Sequence, residues 1–202
     1  MKRTKQWRRA IPILALAFLS FVTAGCGTSL FTGKSQQAPK TWTNPPFTDL
    51  RSQEKVTPDP TFDATVVQSN VYKQVKVLDS AGKLVTLNAA EQPLLFAAYW
   101  CPHCQRTLVL LNQNRSKLKE FPVIVSMGFA PGTKLSDAVK LSNQELKTFH
   151  ISNVKEYYLL NPNEAKQVVQ SFPTLAFPYQ SKVEKLAGEH TLQVWEQAMN
   201  QK

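Results

Sequence analysis

The chain has 202 residues, 43% of them hydrophobic and 19% charged, with a formal net charge of +10. That length and apolar content allow a single buried core and exclude a chain too polar to fold. Much of the basic excess lies in the first nine residues, and the rest is spread without a run of like charge, so nucleic-acid binding is not expected.

The N-terminus carries Lys2, Arg3, Lys5, Arg8 and Arg9 and no acid, followed by an apolar run from Ala10 to Ala24. The run is too short, and too closely followed by small residues, for a comfortable membrane-spanning helix; it reads as a targeting segment. It ends Val22-Thr23-Ala24-Gly25-Cys26, which resembles the lipobox of bacterial lipoproteins. The resemblance implies that 1–25 is a cleaved signal and that Cys26 is lipidated and becomes the first residue of a membrane-anchored chain. Residues 26–60 follow as a tether rich in Pro, Ser, Thr and Gln, with Pro39, Pro45, Pro46, Pro58 and Pro60. Such a segment cannot bury enough apolar surface to fold alone, although Trp42 and Phe47 stand out as residues that can dock on a domain.

From residue 61 to 202 the pattern is that of one globular domain. Val71 to Leu78 alternates as a strand, Asp79-Ser80-Ala81-Gly82-Lys83 is turn chemistry, and Leu84 to Leu87 is the returning strand. Leu94 to Trp100 is almost wholly apolar, as in a strand buried on both faces. A helix is expected over Pro102 to Phe121, with Leu108, Leu111 and Leu118 inward, and a second buried strand over Val123 to Phe129. Ser142-Asn143-Gln144-Glu145 fits a capping box, which predicts a helix from there to His150. Tyr157 to Leu160 reads as a short strand, Asn161-Pro162-Asn163 as a turn that caps a helix to Gln170, Thr174 to Tyr179 and Val183 to Leu186 as a hairpin, and Thr191 to Asn200 as a last amphipathic helix with Leu192, Trp195 and Met199 inward. Alternating strands and helices imply an α/β fold around a central sheet.

Cys101-Pro102-His103-Cys104 sits where the apolar strand meets the helix. A helix start offers free N–H groups and a partial positive charge, which favour the thiolate of the first cysteine, the nucleophile in disulfide exchange. Together with Trp100, this motif resembles the redox site of the thioredoxin superfamily. Phe172-Pro173-Thr174 before an apolar strand looks like that superfamily's cis-proline loop. The Asp79 to Leu87 hairpin, and the space between Cys104 and Pro173, are similar to the membrane-anchored, TlpA-like branch. The resemblance implies a thioredoxin-like fold: a central mixed sheet flanked by helices, an N-terminal β-hairpin, and an inserted helix–strand unit at about Lys134 to Leu160.

It also implies a thiol–disulfide oxidoreductase whose only redox group is a Cys101–Cys104 disulfide. Cys101 would be the partly exposed nucleophile and Cys104 the buried resolving residue. Pro102 and His103 would tune the pair, Pro173 would keep metals off the thiols, and Trp100, Phe172 and Thr174 would meet the substrate chain. The three cysteines are then accounted for, one for the lipid and two for the pair, in a compartment outside the cytoplasmic membrane where disulfides persist. Partners would be the thiols and disulfides of secreted or membrane proteins, with a membrane redox partner to reset the pair.

The direction of electron flow turns on His103. An imidazole beside the thiolate stabilises the reduced form and makes the pair more oxidising, as in DsbA-type Cys-Pro-His-Cys sites. Thioredoxins carry a buried Asp six residues before the first cysteine; Leu95 stands there in this chain, so the sequence shows no acid for Cys104. A reductant of TlpA type is the alternative. Metal binding by Cys101, His103 and Cys104 is weaker, because only His150 and His190 remain as further histidine ligands. A non-catalytic binding lipoprotein would not need a cysteine pair in this position.

Overall fold

The structure, a computed structural model, describes residues 42–54 and 56–201. The signal segment, the lipobox with Cys26, and the first part of the tether lie outside the described residues. Among the described residues no helix is long and apolar enough to cross a membrane.

Eight strands form one mixed sheet: β1 (Thr65–Val66), β2 (Val75–Leu78), β3 (Leu84–Leu87), β4 (Leu94–Ala97), β5 (Val123–Ser126), β6 (Glu156–Tyr158), β7 (Thr174–Tyr179) and β8 (Lys182–Ala187), in the order β1-β8-β7-β4-β5-β6-β2-β3. Strands β4, β5 and β6 run parallel, while β7 and β8 on one side and β2 and β3 on the other are antiparallel. Helices α1 (Pro102–Gln113), α2 (Leu135–Thr148), α3 (Pro162–Val168) and α4 (Leu192–Met199) cover the faces. This is the thioredoxin-like arrangement: strand, C-x-x-C helix, parallel strand, then a cis X-Pro bond leading into an antiparallel hairpin and a last helix. The hairpin β2–β3 and the inserted unit α2–β6 are both present.

Strand alternation divides the core. Leu94, Phe96, Val123 and Val125 point to one face, with Val168 of α3. Leu95, Ile124, Leu175 and Phe177 point to the other, with Leu108 and Leu111 of α1 and Trp195 and Met199 of α4. All four residues of β4 are buried, as its unbroken apolar run requires.

Several boundaries differ from the sequence reading. Residues Val71 to Lys73 turn before β2 begins, and the turn carries Tyr72 inward, where its hydroxyl donates to the Val168 carbonyl. Helix α1 stops at Gln113 instead of running to Phe121. Asn114 ends it by donating its backbone N–H to the Leu111 carbonyl and its side-chain amide to the Leu110 carbonyl, and a single 3₁₀ turn then brings Leu118 into the core. Helix α2 begins at Leu135, not at the apparent capping box. Ala138, Ser142 and Glu145 lie on one buried stripe of that helix, so tertiary burial claims residues that read locally as a cap.

Residues 42–54 and 56–60 have no helix and are laid over the domain as a strap. Asn44 bridges Thr133 Oγ1 and the Ala130 N–H, both at 2.7 Å, and the Pro45 carbonyl accepts from the Tyr99 hydroxyl. Phe47 meets Phe149 edge-on. Gln105, fully buried on α1, accepts from Leu50 N–H at 2.7 Å and donates to the Thr48 and Tyr99 carbonyls. The compact domain therefore begins near residue 42 instead of 61, because side chains far along the chain satisfy the strap's backbone.

Candidate active site

Cys101 is the N-cap of α1, and Pro102 fills the first helical position, where its missing N–H costs nothing. The cap leaves Cys101 Sγ facing the first turn, where it accepts from Cys104 N–H at 3.4 Å. Cys104, one turn along, is completely buried, and its sulfur accepts from Ala98 N–H at 3.4 Å. Both are free thiols.

Their surroundings push the two thiols apart. The hydrogen bond from Cys104, the backbone N–H groups and the nearby His103 imidazole bring Cys101 down to about 7, against some opposition from burial. Burial drives Cys104 upward, and the neighbouring Cys101 and Glu145 charges add to that. Only 4% of the Cys101 surface is accessible, less than the partly exposed nucleophile expected. The reason is the cover: Trp100 and Phe172 pack against the buried cluster that the cysteines form with Ala97 and Ala98.

Trp100 is fixed by its indole N–H, which donates to the Gly128 carbonyl at 2.7 Å, and by edge-on contacts with Phe172 and Trp42. Gly128 adopts φ +74°, and an added Cβ would lie 3.1 Å from Ala98 Cβ and 3.3 Å from the rings of Phe172 and Trp100, so any side chain there is strained. The Phe172–Pro173 peptide is cis. The Pro173 carbonyl is taken by Gly188 N–H at 2.8 Å. Thr174 is buried in β7 with its hydroxyl donating to the Ser171 carbonyl, so it holds the loop and presents little to a substrate.

His103 stands between two carboxylates: Nδ1 is 2.8 Å from Glu189 Oε2 and Nε2 is 3.3 Å from Glu54 Oε2. Arg106, one turn along α1, holds the same Glu189 through Nε and Nη2 and donates from Nη1 to the Arg51 and Gln53 carbonyls of the strap. None of Glu54, Arg106 and Glu189 stands out in the sequence; only folding places them beside the cysteine pair. Two grooves share Phe172. One of about 240 Å3 is apolar, with Trp42, Trp100, Met127, Leu159 and Val169. The other, of about 290 Å3, is more polar, with Asp59, His103, Glu189 and His190.

An acid also lies under the site, where the sequence showed none. Glu145 is 3% exposed, and burial together with the nearby Glu156 and Cys101 raises its carboxyl to about 8. The signal was visible only as a carboxyl on the apolar stripe of a helix, and the capping-box reading obscured it. Among the described residues, no cluster of three or more His, Cys, Asp or Glu is gathered to hold a metal ion.

The chain thus has a thioredoxin-like fold with an asymmetric dithiol at a helix N-terminus. The chain superposes on a secreted disulfide oxidoreductase of Mycobacterium tuberculosis described as homologous to E. coli DsbE (TM-score 0.45, 13% identity, 64% of this chain and 96% of that one). It also superposes on the exposed lipoprotein thioredoxin of Streptococcus pneumoniae (TM-score 0.44, 19% identity, 63% and 98%) and on StoA of Bacillus subtilis (TM-score 0.40, 10% identity, 68% and 96%). No family model and no curated protein matches the chain.

Proposed function

We propose that the chain is a thiol–disulfide oxidoreductase that exchanges disulfides with protein substrates outside the cytoplasmic membrane. The observation that carries this reading is the split between the two thiols: Cys101 poised near 7 at a helix N-terminus, Cys104 buried and held protonated behind it. A substrate sulfur exchanges at Cys101, and Cys104 then resolves the mixed disulfide. Pro173, cis beside the pair, shields the thiols, and the two grooves around Phe172 receive the chain on either side of the substrate cysteine. The lipidated Cys26 anchors the domain, on a cell surface or in a periplasm, and a membrane redox partner resets the pair.

The direction we infer is oxidation of substrate thiols, because the His103 imidazole favours the Cys101 thiolate and so the reduced pair. A second reading, a reductant of protein disulfides, is favoured by Glu145, an acid near the resolving cysteine. Equilibration of the domain from residue 42 with glutathione buffers separates them. A potential of about −100 to −180 mV marks a disulfide donor, and one of about −270 mV or below marks a reductant. A pair that never equilibrates with glutathione sinks both.

A further inference from the structure

One buried carboxylate is held from several sides beside the cysteine pair. Gly188 N–H takes the Pro173 carbonyl at 2.8 Å, and the Glu189 carbonyl accepts from Asp59 N–H of the strap at 2.9 Å, so the backbone around Glu189 is fixed. Its Oε1 accepts from Arg106 Nε at 2.8 Å and its Oε2 from Arg106 Nη2 at 2.6 Å. His103 Nδ1 lies 2.8 Å from the same Oε2 and 3.0 Å from the same Nη2, which closes a triangle of three polar atoms. Across the ring, Nε2 is 3.3 Å from Glu54 Oε2.

Proton counting decides what this arrangement favours. A carboxylate oxygen only accepts, so each ring nitrogen needs its own hydrogen to meet its neighbour. A neutral imidazole has one. With that hydrogen on Nε2 for Glu54, bare Nδ1 can accept from Arg106 Nη2, but its lone pair then faces the lone pairs of Glu189 Oε2 at 2.8 Å. An imidazolium meets both carboxylates, and its bond to Glu189 is charge-assisted. The surrounding charges agree. Glu189 from the loop after β8 and Glu54 from the strap oppose a single guanidinium, Arg106 of α1, whose Nε and Nη2 are spent on Glu189. Asp59 of the strap adds a further acid, and His190 an imidazole, to the groove that His103 lines. Against burial, Arg106 and His103 hold the Glu189 carboxyl below the usual carboxylate range, so it is a full charge at neutral pH.

We propose that Glu189 is a positioning residue that keeps a proton on both ring nitrogens of His103, and so sets how strongly the cysteine pair favours its reduced form. The inference rests on the disulfide-exchange reading above. Glu189 acts on Cys101 only through the imidazole and has no part in the exchange of sulfurs.

The sign of the effect separates this role from the plain charge of Glu189. As a bare negative charge, Glu189 repels the Cys101 thiolate, and its removal would stabilise the dithiol form. As the holder of the imidazolium, it keeps a positive charge two residues from Cys101 while its own charge is matched by Arg106. Its removal then lets the ring lose a proton, and the dithiol form is destabilised. A residue that only braces the loop would leave the redox equilibrium where it is.

The test equilibrates the protein with glutathione at pH 7, with enzyme disulfide and two glutathione thiols on one side and enzyme dithiol and glutathione disulfide on the other. Glu189→Gln, which keeps the shape and removes the charge, should lower the equilibrium constant for forming the dithiol by about tenfold, the order of one charge-assisted hydrogen bond, or about 30 mV. Glu189→Asp should recover part of the loss. In a His103→Leu background the same substitution should no longer lower the constant, since the group it acts through is gone. A constant that is unchanged or raised in Glu189→Gln, or an equal drop in the His103→Leu background, overturns the inference and leaves the function standing. Failure of the unaltered protein to equilibrate with glutathione overturns the exchange reading itself. A measurement on the unaltered protein guards against misfolding of the variants. In the nitrogen-15 spectrum of the reduced protein at pH 7, both ring nitrogens of His103 should carry a proton, and a ring protonated at Nε2 alone overturns the inference.

Discussion

The Glu189 carboxylate holds His103 Nδ1 at 2.8 Å and, through the same Oε2, Arg106 Nη2 at 2.6 Å. A residue from the loop after β8 thereby fixes the imidazole inside the C-x-x-C and ties α1 to the strap. Its side chain is 6% exposed, so this is a buried, hydrogen-bonded ion pair and not a mobile surface contact.

Arg106 and His103 hold the Glu189 carboxyl below the usual carboxylate range in spite of the opposing effect of burial. A depressed folded-state value contributes stability that is present above the unfolded value and lost as pH falls through the folded one. The protein should therefore lose stability as pH drops below about 4.5, and Glu189→Gln should remove part of that dependence. Urea titrations of both proteins across pH 3 to 7 check it; parallel curves would contradict the ion-pair account.

Cys101 should react with iodoacetamide with a midpoint near pH 7, while Cys104 stays unreactive to well above 9. The largest cause of the Cys101 shift is the hydrogen bond from Cys104, so Cys104→Ala should move the midpoint upward. Mass-resolved alkylation rates against pH give both values in one experiment.

His103→Leu removes the imidazole that favours the thiolate. The Cys101 midpoint should rise, and the potential should become more negative by about 30 mV for each tenfold change in the equilibrium. A potential that does not move would take His103 out of the redox argument.

Gly128→Ala drives a Cβ against Ala98, Phe172 and Trp100 at a position with φ +74°. A destabilisation of about 1–3 kcal/mol is expected, with a change in Trp100 emission as its bond to the Gly128 carbonyl is disturbed. Denaturant unfolding followed by fluorescence reads both.

Burial and Glu156 raise the Glu145 carboxyl to about 8, above the 4.5 of a free glutamate. Its favourable contribution is complete below 4.5 and is lost as pH rises through 8, because folding must then either keep a proton or bury a charge. Glu145→Gln should therefore gain on the wild type steadily across that window. Melting temperatures of the pair at pH 4.5, 6.5 and 8.5 give the trend, and a constant difference would mean that Glu145 is not buried as described.

The sequence by itself determined the place of the cysteine pair and the order of the elements. Cys101-Pro102-His103-Cys104 after an apolar strand, Phe172-Pro173 before the β7–β8 hairpin, and the Asp79 to Lys83 turn are local signals: each depends on residues within one turn or strand, and each appears where the pattern placed it. Tertiary structure decided what depends on distant partners. The strap from residue 42 is polar and proline-rich, and nothing local says that Gln105 and Arg106 will satisfy its backbone. Ser142 and Glu145 obey a capping pattern, but burial against β6 outweighs that preference and sets α2 from Leu135. The charges around the cysteines, Glu189 and Glu54 on one side and Glu145 and Glu156 beneath, come from four separate segments. A pKa responds to burial and neighbours in space, and spacing along the chain records neither.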